Sequence, residues 1–121
     1  MDQPVPKVVD ADVDRIVRRD YPSQEVPDVL TALDRYGAQK WHREVPRVRL
    51  AILKLAGGDS KNLNKFIAMA DQDYRDVVSF AEYSNYYINV APAEAKNAHH
   101  DEWMTKDWEA YREWFERTTH V

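Results

Sequence analysis

The apolar spacing between Leu63 and Ala81 constrains this chain more than any other feature. Leu63, Phe66, Ile67, Ala70, Tyr74, Val77, Val78 and Ala81 recur at helical intervals. At about 100° per residue they fall within about 60° of a common direction, one continuous apolar stripe. The opposite face holds Lys61, Lys65, Asp71, Gln72, Arg75, Asp76 and Ser79. Asp71 and Arg75 are placed there as a favourable i,i+4 pair. The stripe stays in phase through Asp71-Gln72-Asp73, so the spacing predicts one long helix.

Upstream, Gly57-Gly58-Asp59-Ser60 stops one helix and caps the next within four residues, the pattern of an antiparallel αα-hairpin. The preceding helix is expected from about Arg43 to Ala56, with Pro46 tolerated in its first turn. Val45, Val48, Ala51, Ile52, Leu55 and Ala56 share one broad arc, and Leu50 and Leu53 fall outside it. More than one side is therefore covered, as expected of a central helix. A first helix is expected from Asp10 as cap, with Val13, Ile16 and Val17 on one face and Tyr21-Pro22 as its end. A second carries Val26, Val29, Leu30 and Leu33, with Ser23 as cap and Gly37 as the C′ residue. Tyr83 to Val90 reads as irregular, Pro92 can open a short helix, and a last helix spans about Glu102 to Arg117. Residues 1–9 read as an extended arm because Pro4 and Pro6 oppose helix. The expected fold is all-α: a compact single-domain bundle of five or six helices around a central αα-hairpin.

Composition removes whole chemistries. Three glycines and no cysteine among 121 residues leave no material for a phosphate-cradling loop, a thiol nucleophile or a Cys-ligated metal. Asp10-Ala11-Asp12-Val13-Asp14 imitates a calcium loop, but its sixth and twelfth places hold Arg15 and Tyr21 instead of glycine and glutamate. His99-His100-Asp101-Glu102 places at most His99 and Glu102 on one helical face, without the Glu-x-x-His pairs of a di-iron bundle. None of the four serines lies in a Gly-x-Ser-x-Gly turn. No metal and no cofactor is expected. The start lacks the basic and apolar regions of a secretory signal, and no run approaches the ~18 apolar residues of a membrane span. These features predict a soluble, cytoplasmic chain.

Val48 to Ala56, Gly58-Asp59, Asp73-Tyr74-Arg75-Asp76-Val77, Ala81-Glu82-Tyr83 and then Asp107-Trp108, Tyr111 and Trp114 together resemble a group of small uncharacterised bacterial proteins. The resemblance implies a small all-helical bacterial protein and attaches no activity to it.

The charge is segregated. The whole chain carries −4, but residues 1–34 carry −4, residues 35–54 carry +5, residues 55–90 carry −2 and residues 91–121 carry −3. On the third helix Arg43, Arg47 and Lys54 fall within about 40° of one another with Leu50 in the same stripe. Lys40, Trp41 and His42 precede it. Lys40, Trp41, Arg43, Arg47 and Lys54 are thus candidates for holding an anion or an acidic partner, against the plainer reading that they face the chain's own acidic helices.

In the last helix Met104, Trp108, Tyr111 and Phe115 form a stripe with Trp103, Ala110 and Trp114 beside it, and Asp107 falls inside that apolar arc. A carboxylate there is either buried and paired, with Arg49 as one candidate base, or sits in a first turn capped by Thr105. Three of four tryptophans and four of seven tyrosines lie from Tyr83 onward. Tyr83, Tyr86 and Tyr87, expected in a loop, are candidates for an aromatic contact patch.

The function expected from these features is a non-catalytic helical module that binds another protein or a second copy of itself. An enzyme or small-ligand binder with a site between helices is the first alternative. Nucleic-acid binding by residues 40–54 is the second, and the acidic whole-chain charge opposes it.

Overall fold

The computed structural model describes residues 7–82 and 100–118, and the side chains of the last helix from Thr105 onward. Its helices are α1 (Asp10–Asp20), α2 (Val26–Leu33), α3 (Val45–Ala56), α4 (Ser60–Glu82) and α5 (His100–Glu116). There is no strand among the described residues. The chain is all-α.

The central element is the hairpin of α3 and α4. Gly57 and Gly58 both take positive φ, +61° and +83°, which glycine adopts without strain. Asp59 then accepts the N–H groups of Lys61 and Asn62 (2.8 and 3.3 Å), satisfying two orphan donors at the start of α4. α3 lies against both α1 and α4. Accordingly Val48, Leu50, Ala51, Ile52, Leu53 and Ala56 are all buried, covering more than one side of the helix. They join Val13, Ile16, Val17, Val29, Leu33, Leu63, Ile67, Ala70 and Val77 in one core. Each large aliphatic side chain so buried contributes about 1.5–3 kcal/mol.

The end of α5 is held by α1. Arg19 donates to the main-chain carbonyls of Trp114 and Arg117, groups that a helix C-terminus leaves without partners. Its guanidinium also lies 5.2 Å from the Trp114 ring centroid and pairs with the buried Asp20 carboxylate at 2.7 Å. Arg15 covers Phe115 at 4.8 Å. Among the described residues no helix is long and apolar enough to cross a membrane.

Several local expectations are corrected. The long helix is broken at Asp73, whose backbone is extended (φ −156°, ψ 101°). Asp73 Oδ1 accepts the Arg75 N–H at 3.0 Å, so this aspartate caps a fresh helical segment. The expected Asp71–Arg75 pair is therefore absent: Arg75 turns to Asp73 at 3.1 Å, and Asp71 serves His42. The apolar period survives a one-residue break, and periodicity alone does not register it.

Helix ends shift for similar reasons. Val9, not Asp10, is the N-cap of α1, and Asp12 accepts the Val9 N–H at 3.0 Å. α2 is preceded by Glu25 instead of a Ser23 cap, and ends well before Gly37. α3 begins at Val45, after a left-handed Glu44 (φ 49°). α5 begins at His100, so Thr105 lies inside the helix and is not its N-cap. The short helix expected after Pro92, and the irregular 83–90 segment, lie outside the described residues, as does most of the N-terminal arm.

Candidate functional site

The cations of α3 are drawn inward. Arg47 donates from Nε and Nη2 to the two carboxylate oxygens of Glu82 at 2.8 and 2.6 Å, and from Nη1 to Glu44 at 2.7 Å. Glu82 is only 3% exposed, so the pair is a shielded two-bond contact, the geometry that guanidinium and carboxylate planes favour. One heptad along, Lys54 is half-buried and feels the Asp107 charge. Burial pulls the Lys54 ammonium below the ordinary lysine value, and Asp107 offsets part of that shift. Leu50, between them in the stripe, is fully buried. This stripe therefore faces α5 and the end of α4.

Asp107 is 3% exposed, the buried position that its place in the apolar arc demands. Arg49, its expected partner, instead donates from Nε to the Tyr36 carbonyl at 2.9 Å and approaches Asp34 at 3.6 Å. The base from α3 whose charge couples to Asp107 is Lys54. Tyr111, one turn on, is buried, and its hydroxyl finds no hydrogen-bond partner among the described residues. Burial, with the Glu82 charge next, pushes its phenol well above the usual range.

Lys40, Trp41 and Arg43 do the opposite and face solvent. Trp41 is 52% exposed. They sit on the loop joining α2 to α3, and that loop is held from beneath. Tyr36 is fully buried. Its hydroxyl donates to the Arg43 carbonyl at 2.8 Å and accepts the Arg43 N–H at 3.2 Å, closing the loop on itself. His42 Nδ1 accepts the N–H groups of Gly37 and Gln39 at 2.7 and 3.3 Å. Backbone N–H groups can only donate, so Nδ1 is bare and Nε2 carries the proton directed at Asp71 Oδ1, 3.0 Å away. The His42 ring stacks on Tyr36 at 4.2 Å and 19°, and Trp41 meets it edge-on at 4.2 Å and 71°.

Gly37 completes this latch. Its φ is +119°, and a Cβ there would stand 2.7 Å from Arg49 Nη2 and 3.0 Å from Val45 Cγ1. At this φ any residue with a Cβ is strained, and the Arg49 guanidinium and Val45 would also have to give way. The result is a loop whose inner side chains are saturated with hydrogen bonds and whose outer ones, Lys40, Trp41 and Arg43, are presented outward.

Of the candidate residues, the structure brings Lys40, Trp41 and Arg43 together at the surface and separates Arg47 and Lys54 from them. Tyr83, Tyr86 and Tyr87 lie outside the described residues. Tyr36, His42, Arg49 and Asp71 escaped the sequence reading as loop-building residues. Their contacts join positions 7 to 29 residues apart, and the one local signal was Gly37. Among the described residues no group of His, Asp and Glu is placed to hold a metal.

Comparison with known proteins finds no family model, no curated protein and no solved structure that matches this chain.

Proposed function

We propose that the chain is a non-catalytic helical module that acts by binding another protein through the loop bearing Lys40, Trp41 and Arg43. The observation that carries this reading is the half-exposed Trp41, flanked by two exposed cations, on a loop held fixed by buried hydrogen bonds. Tryptophan and arginine dominate the energetics of protein interfaces, and a loop already fixed loses little further entropy on binding. On this reading the chain works in the bacterial cytoplasm as an adaptor, as a regulator or by self-association.

The fate of the ionisable groups supports the same reading. Glu82 pairs with Arg47, Asp20 with Arg19, and His42 is consumed by the loop. These groups are engaged in holding helices and loop together, and none is set out toward a substrate. Nucleic-acid binding draws less support, because Arg47, Arg49 and Lys54 each sit beside a carboxylate, leaving a smaller cationic face for phosphates.

Affinity capture from the native host, paired with sizing of the recovered complex, tests this. Wild type is expected to retain a partner that Trp41→Ala loses while its melting temperature is unchanged. Equal recovery by both proteins would sink the proposal.

A further inference from the structure

The His42 side chain is closed off from solvent beneath the loop, and both of its ring nitrogens are committed. Nδ1 accepts the Gly37 and Gln39 N–H groups, and Nε2 donates to Asp71. Tyr36 stacks on the ring and Trp41 meets it edge-on. A ring held in this way fits only when neutral. A second proton would sit on Nδ1 and point at two N–H groups, which donate and cannot accept. Turning the ring over brings a carbon to face the same two donors and leaves them unanswered.

The charges around the ring pull in opposite directions. From α4, Asp71 favours a cationic ring, and among the described residues it is the anion that meets His42. Arg35, before the loop, lines the same cleft as Asp71. Lys40 and Arg43, on the loop itself, flank His42 in the chain and oppose a further positive charge. From α3, Arg49 reaches under Gly37, and Glu44, just before that helix, is turned to Arg47. The phenol beneath the ring, Tyr36, is raised by burial and couples to Tyr74 of α4, so it stays uncharged where a histidine titrates.

We propose that His42 is a pH-gated latch: proton uptake at Nδ1 releases Gly37 and Gln39, and with them the loop that carries Trp41. Asp71 favours the proton, while the two N–H groups refuse it as long as the loop is closed. Both demands are met only when Gly37 and Gln39 move off the ring. The hold is therefore present while the ring is neutral and is lost as falling pH charges it. Trp41 packs on the ring edge, so the residue that the loop presents outward loses its support in the same step. The latch acts on the loop itself, whatever the loop binds.

Nuclear magnetic resonance of the full chain, titrated from about pH 8 down to about pH 5, tests it. The His42 ring nitrogens are followed together with hydrogen exchange at the Gly37 and Gln39 amides. At the upper end the Nε2–H tautomer is expected, with both amides protected. As Nδ1 takes its proton, protection at both is expected to fall about tenfold or more, beyond the ordinary pH dependence of exchange. In His42→Asn the side-chain oxygen takes the place of Nδ1 as an acceptor that does not titrate, and both amides should stay protected throughout. Asp71→Asn keeps an acceptor for Nε2 but removes the charge that favours the cation, so the release should move to lower pH. A ring that charges while both amides stay protected, or that stays neutral throughout with the loop closed, overturns the latch. So does an equal loss of protection in His42→Asn and wild type, which assigns the release to carboxylates. If His42→Asn does not fold, Asp71→Asn decides: a release that does not move overturns the proposal, and one that moves to lower pH supports it.

Discussion

The Arg47 guanidinium and the Glu82 carboxylate meet through two parallel hydrogen bonds, 2.8 and 2.6 Å long, and this contact joins the start of α3 to the end of α4. It also explains why the cations of α3 do not form an open anion-binding stripe. A carboxylate buried at the end of α4 requires a cation, and Arg47 is the residue of α3 placed to supply it.

Removing one partner of this pair should be far more damaging than removing the exposed neighbour. Arg47→Ala is expected to cost about 3–5 kcal/mol, because it leaves the buried Glu82 carboxylate uncompensated, and Glu82→Ala somewhat less, because Arg47 keeps its contact to Glu44. Glu44→Ala, which removes only the outer contact to Arg47, is expected to cost about 1 kcal/mol or less. Urea unfolding of the three variants checks the order. Similar losses for Glu82→Ala and Glu44→Ala would show that the two-bond contact contributes little.

Gly37 and Gly57 both have positive φ, but only Gly37 is crowded. Gly57→Ala is expected to cost about 1–2 kcal/mol, the left-handed penalty for a residue with a Cβ. Gly37→Ala adds to that penalty a clash with the Arg49 guanidinium and is expected to cost more. It should also loosen the loop, which hydrogen exchange at Gly37 and Gln39 reads directly. Equal melting temperatures for the two variants would contradict the crowding.

Alkaline pH should unfold the chain through its buried phenols. Burial, with the charge of Asp20 next, pushes Tyr21 up to about 12 from an ordinary value of 10.0. Burial raises Tyr36 and Tyr111 as well. Between these values the unfolded chain has already released protons that the folded chain still holds. Stability therefore falls as pH rises through that window. Phenolate absorbance and far-ultraviolet circular dichroism, followed together, should show these tyrosines ionising with the loss of helix. If all seven ionised near pH 10 with helicity intact, the prediction would be wrong.

Acid should weaken the break in α4. Hydrogen bonds from the Arg75 side chain, then from its backbone N–H, hold Asp73 below the ordinary carboxylate value. The stabilisation it gives is present above that ordinary value and is lost as pH falls through the depressed one. Asp73→Asn keeps a capping oxygen that does not titrate, so its helicity should depend less on acid than that of wild type. Parallel acid titrations of the two proteins, read by circular dichroism, make the comparison. Identical profiles would remove Asp73 from the account of acid sensitivity.

The sequence by itself determined the helices and the hairpin. Leu63, Ile67, Ala70, Val77 and Ala81 are a local, periodic signal, and burying them leaves little choice of secondary structure. Gly57-Gly58-Asp59 is a local turn with a mechanism in each residue. Asp107 was legible as a candidate buried carboxylate from its phase in the helix, a property of the sequence alone, but a first-turn position stood as an equal alternative until the structure buried it. Which base would answer it was not, and neither was the direction in which Arg47 and Lys54 would point. Those depend on which helix comes to lie over α3, a matter of tertiary packing. The break at Asp73 was hidden because a helix that stops and restarts within one residue keeps its apolar period. The tertiary structure alone decided that Tyr36, His42, Arg49 and Asp71, scattered over 36 positions, would become the underside of one loop, because hydrogen bonds between distant residues leave no pattern along a chain.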